Sequence, residues 1–124
     1  MPLRIEAVTI DAADPISLAG FWAETLGWQA QTDEDGDVWV EPPAGAAGSG
    51  PSSTPLLFQR VPDRKLVKNR FHLDLRPDDQ ADEVARLLGM GASRTSIGQE
   101  GTESWIVLSD PEENEFCVLS SRRG

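Results

Sequence analysis

His72 is the chain's one histidine, and it stands two positions before Asp74 and four before Arg76. Side chains alternate along a strand, so in extended backbone these three share a face, which could form a pocket wall. There the Asp74 carboxylate can orient the imidazole or hold it charged, as a catalyst, a ligand or a plain salt bridge would require. A lone strand histidine is also commonly a hydrogen-bonded structural residue, and both readings stay open. Cys117, the single cysteine, excludes a disulfide within the chain and any multi-cysteine zinc site. It reads as a small buried hydrophobe of a terminal strand, with no sequence neighbour that would lower its pKa. Arg60, Arg64, Lys65, Lys68 and Arg70 place five of the eleven basic residues within eleven positions. A solvated loop and a local attraction for an anionic small molecule both fit that tract. There is no nucleophile motif, glycine-rich phosphate loop or pair of histidines on a helix. Any chemistry must therefore come from residues that the fold brings together.

The elements that must position these residues are written twice, with matching landmarks about 64 to 66 positions apart. An apolar segment at residues 3–10 predicts a buried or half-buried first strand. Asp14-Pro15 then supplies an N-cap and a first helical residue. Leu18, Phe21, Trp22 and Leu26 recur at helical spacing before Gly27 stops the helix. Residues 28–32 and 38–41 flank an exposed turn whose Gly36 can take positive φ, and residues 55–61 form a fourth strand. In the second copy, residues 70–76 predict a strand and residues 79–88 a helix with Ala81, Val84, Ala85 and Leu88 on one face. Strands follow at about 93–97, 104–109 and 114–120. The order βαβββ, twice, is neither a doubly wound sheet nor a run of βαβ units. Trp39 and Trp105 occupy corresponding places in the two copies. Residues 42–55, rich in Gly, Pro, Ser and Ala, read as a mobile loop or as a lid over a pocket.

Composition bounds the function. With 124 residues and 39% hydrophobic content, the chain suits one domain over residues 1–124, its modules at about 1–65 and 66–124, because halves of about 60 residues would each be marginal. No apolar run reaches the length of a signal peptide or of a membrane span, so a cytoplasmic protein is expected, without a membrane partner. A formal charge of −10 argues against nucleic acid as a partner.

The residues Asp14-Pro15, Leu18-Ala19-Gly20-Phe21-Trp22, Leu26-Gly27-Trp28, the run Lys68-Asn69-Arg70-Phe71-His72-Leu73-Asp74-Leu75, Gly91-Ala92 and the run Asp110-Pro111-Glu112-Glu113-Asn114-Glu115-Phe116 together resemble the vicinal oxygen chelate superfamily. That group contains glyoxalase I, bleomycin-resistance proteins, fosfomycin-resistance enzymes and extradiol dioxygenases, and the match is closest to its glyoxalase-like subgroup. The resemblance covers the whole chain and implies an α+β fold in which two βαβββ modules pair as curved mixed sheets around a cup. It also implies a divalent metal (Zn, Ni, Fe or Mn) held by ligands from the first and fourth strands of each module, stabilising the anion that develops on two neighbouring substrate oxygens. Carried over by position, those ligands fall at Ala7, near Leu57 with Gln59 two residues on, at His72 and at Cys117. Of these, only His72 matches clearly; a His72–Cys117 pair could bind a soft metal but is short of the three or four protein ligands of a stable site. A two-residue register shift would bring in Gln59 or Glu115 without restoring a familiar tetrad. Glu113 replaces the glycine of the family's Asp-Pro turn, which puts that turn's usual conformation in doubt.

The resemblance thus leads to three readings. In the first, the cup binds a small molecule without metal, as bleomycin-resistance proteins do. Trp39, Trp105 and Phe58 would wall an apolar pocket or simply fill the core, with His72, Asp74, Arg70 and Gln59 supplying polar contacts. The second is a metal-assisted lyase, isomerase or dioxygenase with a degenerate ligand set. The third is a non-catalytic scaffold. The family implies a homodimer throughout.

Overall fold

A computed structural model of the protein describes residues 3, 5–43, 54–62, 65–95 and 104–121. Two compact units divide it, Met1–Arg64 and Lys65–Gly124. In the first, strand β1 (Val8–Ala12) leads to helix α1 (Pro15–Leu26), then to β2 (Gln29–Thr32), β3 (Val38–Glu41) and β4 (Leu56–Arg60). The helix begins where the Asp14 side chain accepts a hydrogen bond from the Ser17 amide at 3.2 Å, with Pro15 in the first turn. It ends at Gly27, whose φ of 69° is the left-handed cap expected of a glycine. The expected first strand is shorter than its apolar run. Its parallel partner β4 begins at Leu56, opposite Val8, so Leu3 and Ile5 have no ladder to join and are exposed.

The sheet order is β1-β4-β3-β2, with only β1 and β4 parallel. Val38 pairs with Phe58 and Val40 with Leu56. All four side chains are buried, and α1 packs on these strands through Leu18, Phe21 and Trp22. The Phe21 and Trp22 rings meet edge to face at 5.5 Å. Asp33 organises the β2–β3 turn. One of its oxygens accepts from the Asp35 and Asp37 amides and the other from the Trp39 indole at 3.2 Å, while Gly36 takes φ 86°.

The second unit repeats the order with β5 (Asp74–Leu75), α2 (Gln80–Gly89), β6 (Ser93–Arg94), β7 (Ile106–Ser109) and β8 (Glu115–Val118), arranged β5-β8-β7-β6. The α+β class and the doubled βαβββ order are thus as expected. Asp79 caps α2 by accepting from the Asp82 amide at 2.9 Å. The buried face of α2 is not the expected one. Val84 and Leu87 are buried, Leu88 is half-buried, and Ala81 and Ala85 are exposed. An alanine offers one methyl group to the core and Leu87 a whole isobutyl group, so the helix turns its larger apolar residue inward.

The strand expected at 70–76 contracts to Asp74–Leu75, leaving His72 just before it. Among the described residues β5 pairs with β8 alone, and its ladder runs from the Leu73 carbonyl, which accepts from the Cys117 amide at 2.9 Å, to Leu75, which accepts from Leu119 at 2.8 Å. The strand expected at 93–97 keeps residues 93–94, with Thr95 donating to the Val107 carbonyl at 3.2 Å; Ile97 lies outside the described residues. So does most of the expected loop or lid at 42–55, of which only residues 42, 43, 54 and 55 are described.

The Asp110-Pro111 turn keeps a left-handed residue even without glycine. Glu113 adopts φ 71° and donates to the Asp110 carbonyl at 2.8 Å. The Asp110 carboxylate accepts from the amides of Glu112 and Asn114 at 2.9 and 3.0 Å, and Asp110 is itself buried. That network holds a conformation that an L-residue adopts at a cost of about 1–2 kcal/mol.

Candidate functional site

Alternation along β8 divides its residues. Phe116 and Val118 point with Leu75 and Leu108 into the buried layer on the α2 side, and Glu115 and Cys117 point to the other face. Cys117 pairs with Asp74 on one flank and Val107 on the other, so the carboxylate and the thiol are cross-strand neighbours. The backbone stays extended enough before β5 for His72 to fall on the side of Asp74, as its spacing predicted. His72 Nδ1 lies 3.1 Å from Asp74 Oδ1 and 4.0 Å from Cys117 Sγ. One donor atom from each of the three residues lies within 4.8 Å of the others. The His72 and Asp74 side chains are 40% and 51% exposed, whereas Cys117 is 7% exposed.

This geometry is not that of a nucleophile. A cysteine–histidine–aspartate relay needs the acid on one ring nitrogen and the thiol on the other, yet here both approach Nδ1. Burial also pushes the Cys117 thiol up, and the Asp74 charge and hydrogen bond push it further, with Lys68 offsetting a part. A thiol in that state is a poor nucleophile at neutral pH.

Beside Cys117, on the same face, Glu115 is buried and fully engaged. Its Oε2 accepts from Lys65 Nζ at 2.7 Å and its Oε1 from the Asn69 amide at 2.9 Å. Asn69 also donates to Asn114 Oδ1 at 3.3 Å, and Asn114 donates to both Asp110 oxygens. Burial raises the Glu115 pKa, but the Lys65 ammonium and the Asn69 amide outweigh it and leave the carboxyl below its ordinary value. The segment that carries His72 is thereby tied to the strand that carries Cys117. Sequence reasoning placed Glu115 only as a register alternative. The available signal was its spacing of two from Cys117.

That tract therefore divides. Lys65 is half-buried and paired, and Arg60 donates to the Ala13 carbonyl at 2.9 Å. Lys68 and Arg70 are exposed, and Arg64 lies outside the described residues. The other candidates spread over the two sheets. Phe58 is fully buried on the α1 side of its sheet, and Gln59, next to it on β4, is exposed and faces the other way. Trp39 pairs with Leu57 on that opposite face, half-buried, its indole engaged by Asp33. Trp105 is exposed, one residue before β7. The structure brings His72, Asp74 and Cys117 together; Trp39, Phe58 and Gln59 belong to the first unit.

The hard four-ligand set implied by the resemblance does not fit these residues. Ala7, half-buried just before β1, has no donor atom, and Leu57 presents an aliphatic side chain on β4. Among the described residues, a three-donor cluster is assembled in the second unit alone, and one of its donors is sulfur.

Residues 7–119 match the family model described as the glyoxalase-like domain. No curated protein matches the sequence. Among solved structures, the chain is similar to the trypanothione-dependent glyoxalase I of Leishmania major, at 16% identity and a TM-score of 0.63, over 95% of this chain and 86% of that one. It is similar to a fosfomycin resistance protein of Listeria monocytogenes solved with Mn(II) and a dihydroxypropylphosphonic acid, at 12% identity and a TM-score of 0.69, over 98% and 93%. It is also similar to an antibiotic binding protein from a Streptomyces species, at 21% identity and a TM-score of 0.58, over 98% and 99%. At such identities the likeness carries the fold and not the activity. With its doubled βαβββ order and a family match running from Ala7 to Leu119, the chain belongs to the glyoxalase-like domain family of the vicinal oxygen chelate superfamily.

Proposed function

We propose that this glyoxalase-like protein binds a small aromatic or anionic molecule as a single cytoplasmic domain over residues 1–124, without the metal tetrad of its superfamily. The observation that carries this reading is the lack of a donor at Ala7 and Leu57, where the family places ligands in the first module. On the second sheet, Trp105 offers indole surface near the end of β7, with His72 and Asp74 as polar contacts and the exposed cations Lys68 and Arg70 favouring an anion. On the first, Trp39 and Gln59 share the face turned away from α1. The similar Streptomyces protein is described as antibiotic binding, which agrees with a binding role but does not transfer a ligand.

The test is a thermal-shift screen of aromatic carboxylates and phosphonates with chelator present throughout. Stabilising compounds are expected, with a smaller shift for Trp105→Ala than for wild type. If no compound raises the midpoint, the binding reading fails and a non-catalytic dimeric scaffold takes its place.

A second reading, a metal-dependent lyase, isomerase or dioxygenase, is favoured by the convergence of His72, Asp74 and Cys117. Elemental analysis of untagged protein separates the two. Binding without a resident metal predicts less than one transition metal per chain, whereas about one tightly held ion, lost in His72→Ala, supports the enzyme.

A further inference from the structure

We propose that the face of the first sheet turned away from α1 binds a short amino-sugar oligomer, its rings stacked on Trp39 and its protonated amines held by Glu41 and Asp11. The inference is independent of the aromatic or anionic ligand proposed above, since the cations that favour an anion belong to the second unit and this face belongs to the first.

Alternation sorts the first sheet into two faces. Val38, Val40, Leu56 and Phe58 fill the side packed by α1, which leaves Trp39, Glu41, Leu57 and Gln59 on the other. Strand pairing then sets Gln31 and Leu57 on the two flanks of Trp39 and Asp11 beside Gln59. The indole is held in place: the Asp33 carboxylate accepts from its Nε1 at 3.2 Å and is itself fastened, through its other oxygen, to the Asp35 and Asp37 amides. A ring fixed in advance loses little freedom on binding. The face of an indole is its negative side, so it attracts the weakly positive C–H groups of a pyranose ring, and a cation more strongly.

The groups around the ring favour a polyol over a hydrocarbon. Gln31 and Gln59 are exposed, and a carboxamide both donates and accepts hydrogen bonds. A sugar hydroxyl does both as well, so the two can pair without leaving either unsatisfied. Charge favours the amine. Glu41 and Asp11 are exposed on this face, and among the described strand residues it carries no basic side chain. Arg60, the basic residue of β4, alternates to the α1 side and donates to the Ala13 carbonyl at 2.9 Å. The formal charge of −10 adds a field of the same sign. Placement sets the length. Glu41 lies two residues along β3 from Trp39, and Asp11 lies two strands away toward the opposite end. At about 4.8 Å per strand and about 3.4 Å per residue, the two are roughly 17 Å apart at the backbone with the indole between them. A single ring on Trp39 cannot reach both carboxylates, whereas an oligomer with an amine on each ring can.

The experiment titrates ¹⁵N-labelled full-length protein with the glucosamine trimer at mildly acidic pH, where its amines are protonated and exposed carboxylates stay ionised. A parallel titration uses the N-acetylated trimer, whose amides carry no charge. Of the four tryptophan indole N–H signals, the one missing in Trp39→Phe identifies Trp39. The amine trimer is expected to move that signal to saturation, and the N-acetylated trimer should bind at least about fivefold more weakly. Trp39→Ala should weaken the amine trimer by more than about fivefold. The double variant Glu41→Gln, Asp11→Asn, at two exposed positions, should bring the preference for the amine close to unity. Circular dichroism establishes that each variant is folded, and the comparison of the two trimers on wild type needs no variant. A Trp39 signal unmoved at the solubility limit of the amine trimer, equal affinity for the two trimers, or a preference unchanged in the double variant overturns the proposal. The thermal-shift screen uses anions and is read at Trp105, so neither proposal can fail on the other's account.

Discussion

A carboxylate that gives up its water must find charge and hydrogen bonds in the protein, and Glu115 finds them in Lys65 and the Asn69 amide. Its pKa is lowered on folding, so the carboxylate binds protons less readily in the folded state than in the unfolded one. The associated stability is therefore present above the ordinary glutamate value of 4.5 and is lost as pH falls through the lower folded value. Glu115→Gln should destabilise the protein by about 1–3 kcal/mol near neutral pH, and the gap to wild type in urea denaturation should narrow below about pH 4. A gap that stays constant with pH would separate Glu115 from this role. The pair spans 50 positions, and no local pattern announces it. His72 and Asp74, by contrast, were legible from a spacing of two, because the backbone around them keeps its alternation even where the ladder has ended.

At the scale of elements, helices were legible through their ends. Asp14-Pro15 and Gly27 act by local hydrogen bonding and backbone preference, and each does what its residue type predicts, whereas Asp79, expected as the first helical residue, is the N-cap of α2. The face of α2 was less legible, because periodicity treats Ala81 and Ala85 as equal in weight to Leu87. Leu87→Ala should cost about 2–4 kcal/mol of unfolding free energy, whereas Ala85→Ser, at an exposed position, should cost about 0.5 kcal/mol or less. Comparable losses from the two variants in chemical denaturation would return the alanine face to the core. Strand lengths were overestimated for one reason: an apolar run continues in sequence where the neighbouring strand does not, as at Ile5 and at Phe71.

Over the whole molecule, duplication repeats a scaffold and leaves the donors unequal. Among the described residues, each unit has one cap-initiated helix and a four-stranded mixed sheet. The first has Ala7 and Leu57 where the second has His72 and Cys117. The resemblance made the fold and those four positions legible, but the approach of Cys117 to His72 across 45 residues depends on β5–β8 pairing and on rotamers that no sequence pattern encodes. The exposed side chains Leu66, Val67 and Phe71 present apolar surface in the second unit, which a homodimer would bury. Sedimentation at micromolar concentration should give about twice the chain mass of 13.5 kDa, and Phe71→Asp should shift the population toward monomer. A monomer at every concentration would refute the dimer.

Glu113 has a reach beyond its own strain. Its left-handed backbone closes the turn in which the Asp110 amide donates to the Asn114 carbonyl, and β8 begins with the next residue. Side chains in a strand alternate, so lengthening or relaxing that turn by one residue would reverse every side chain after it. Phe116 would then stand beside Asp74, and the sulfur of Cys117 would enter the layer under α2. One uncomfortable torsion thus sets the phase of the strand and decides whether the open face of this sheet presents a thiol or a benzene ring.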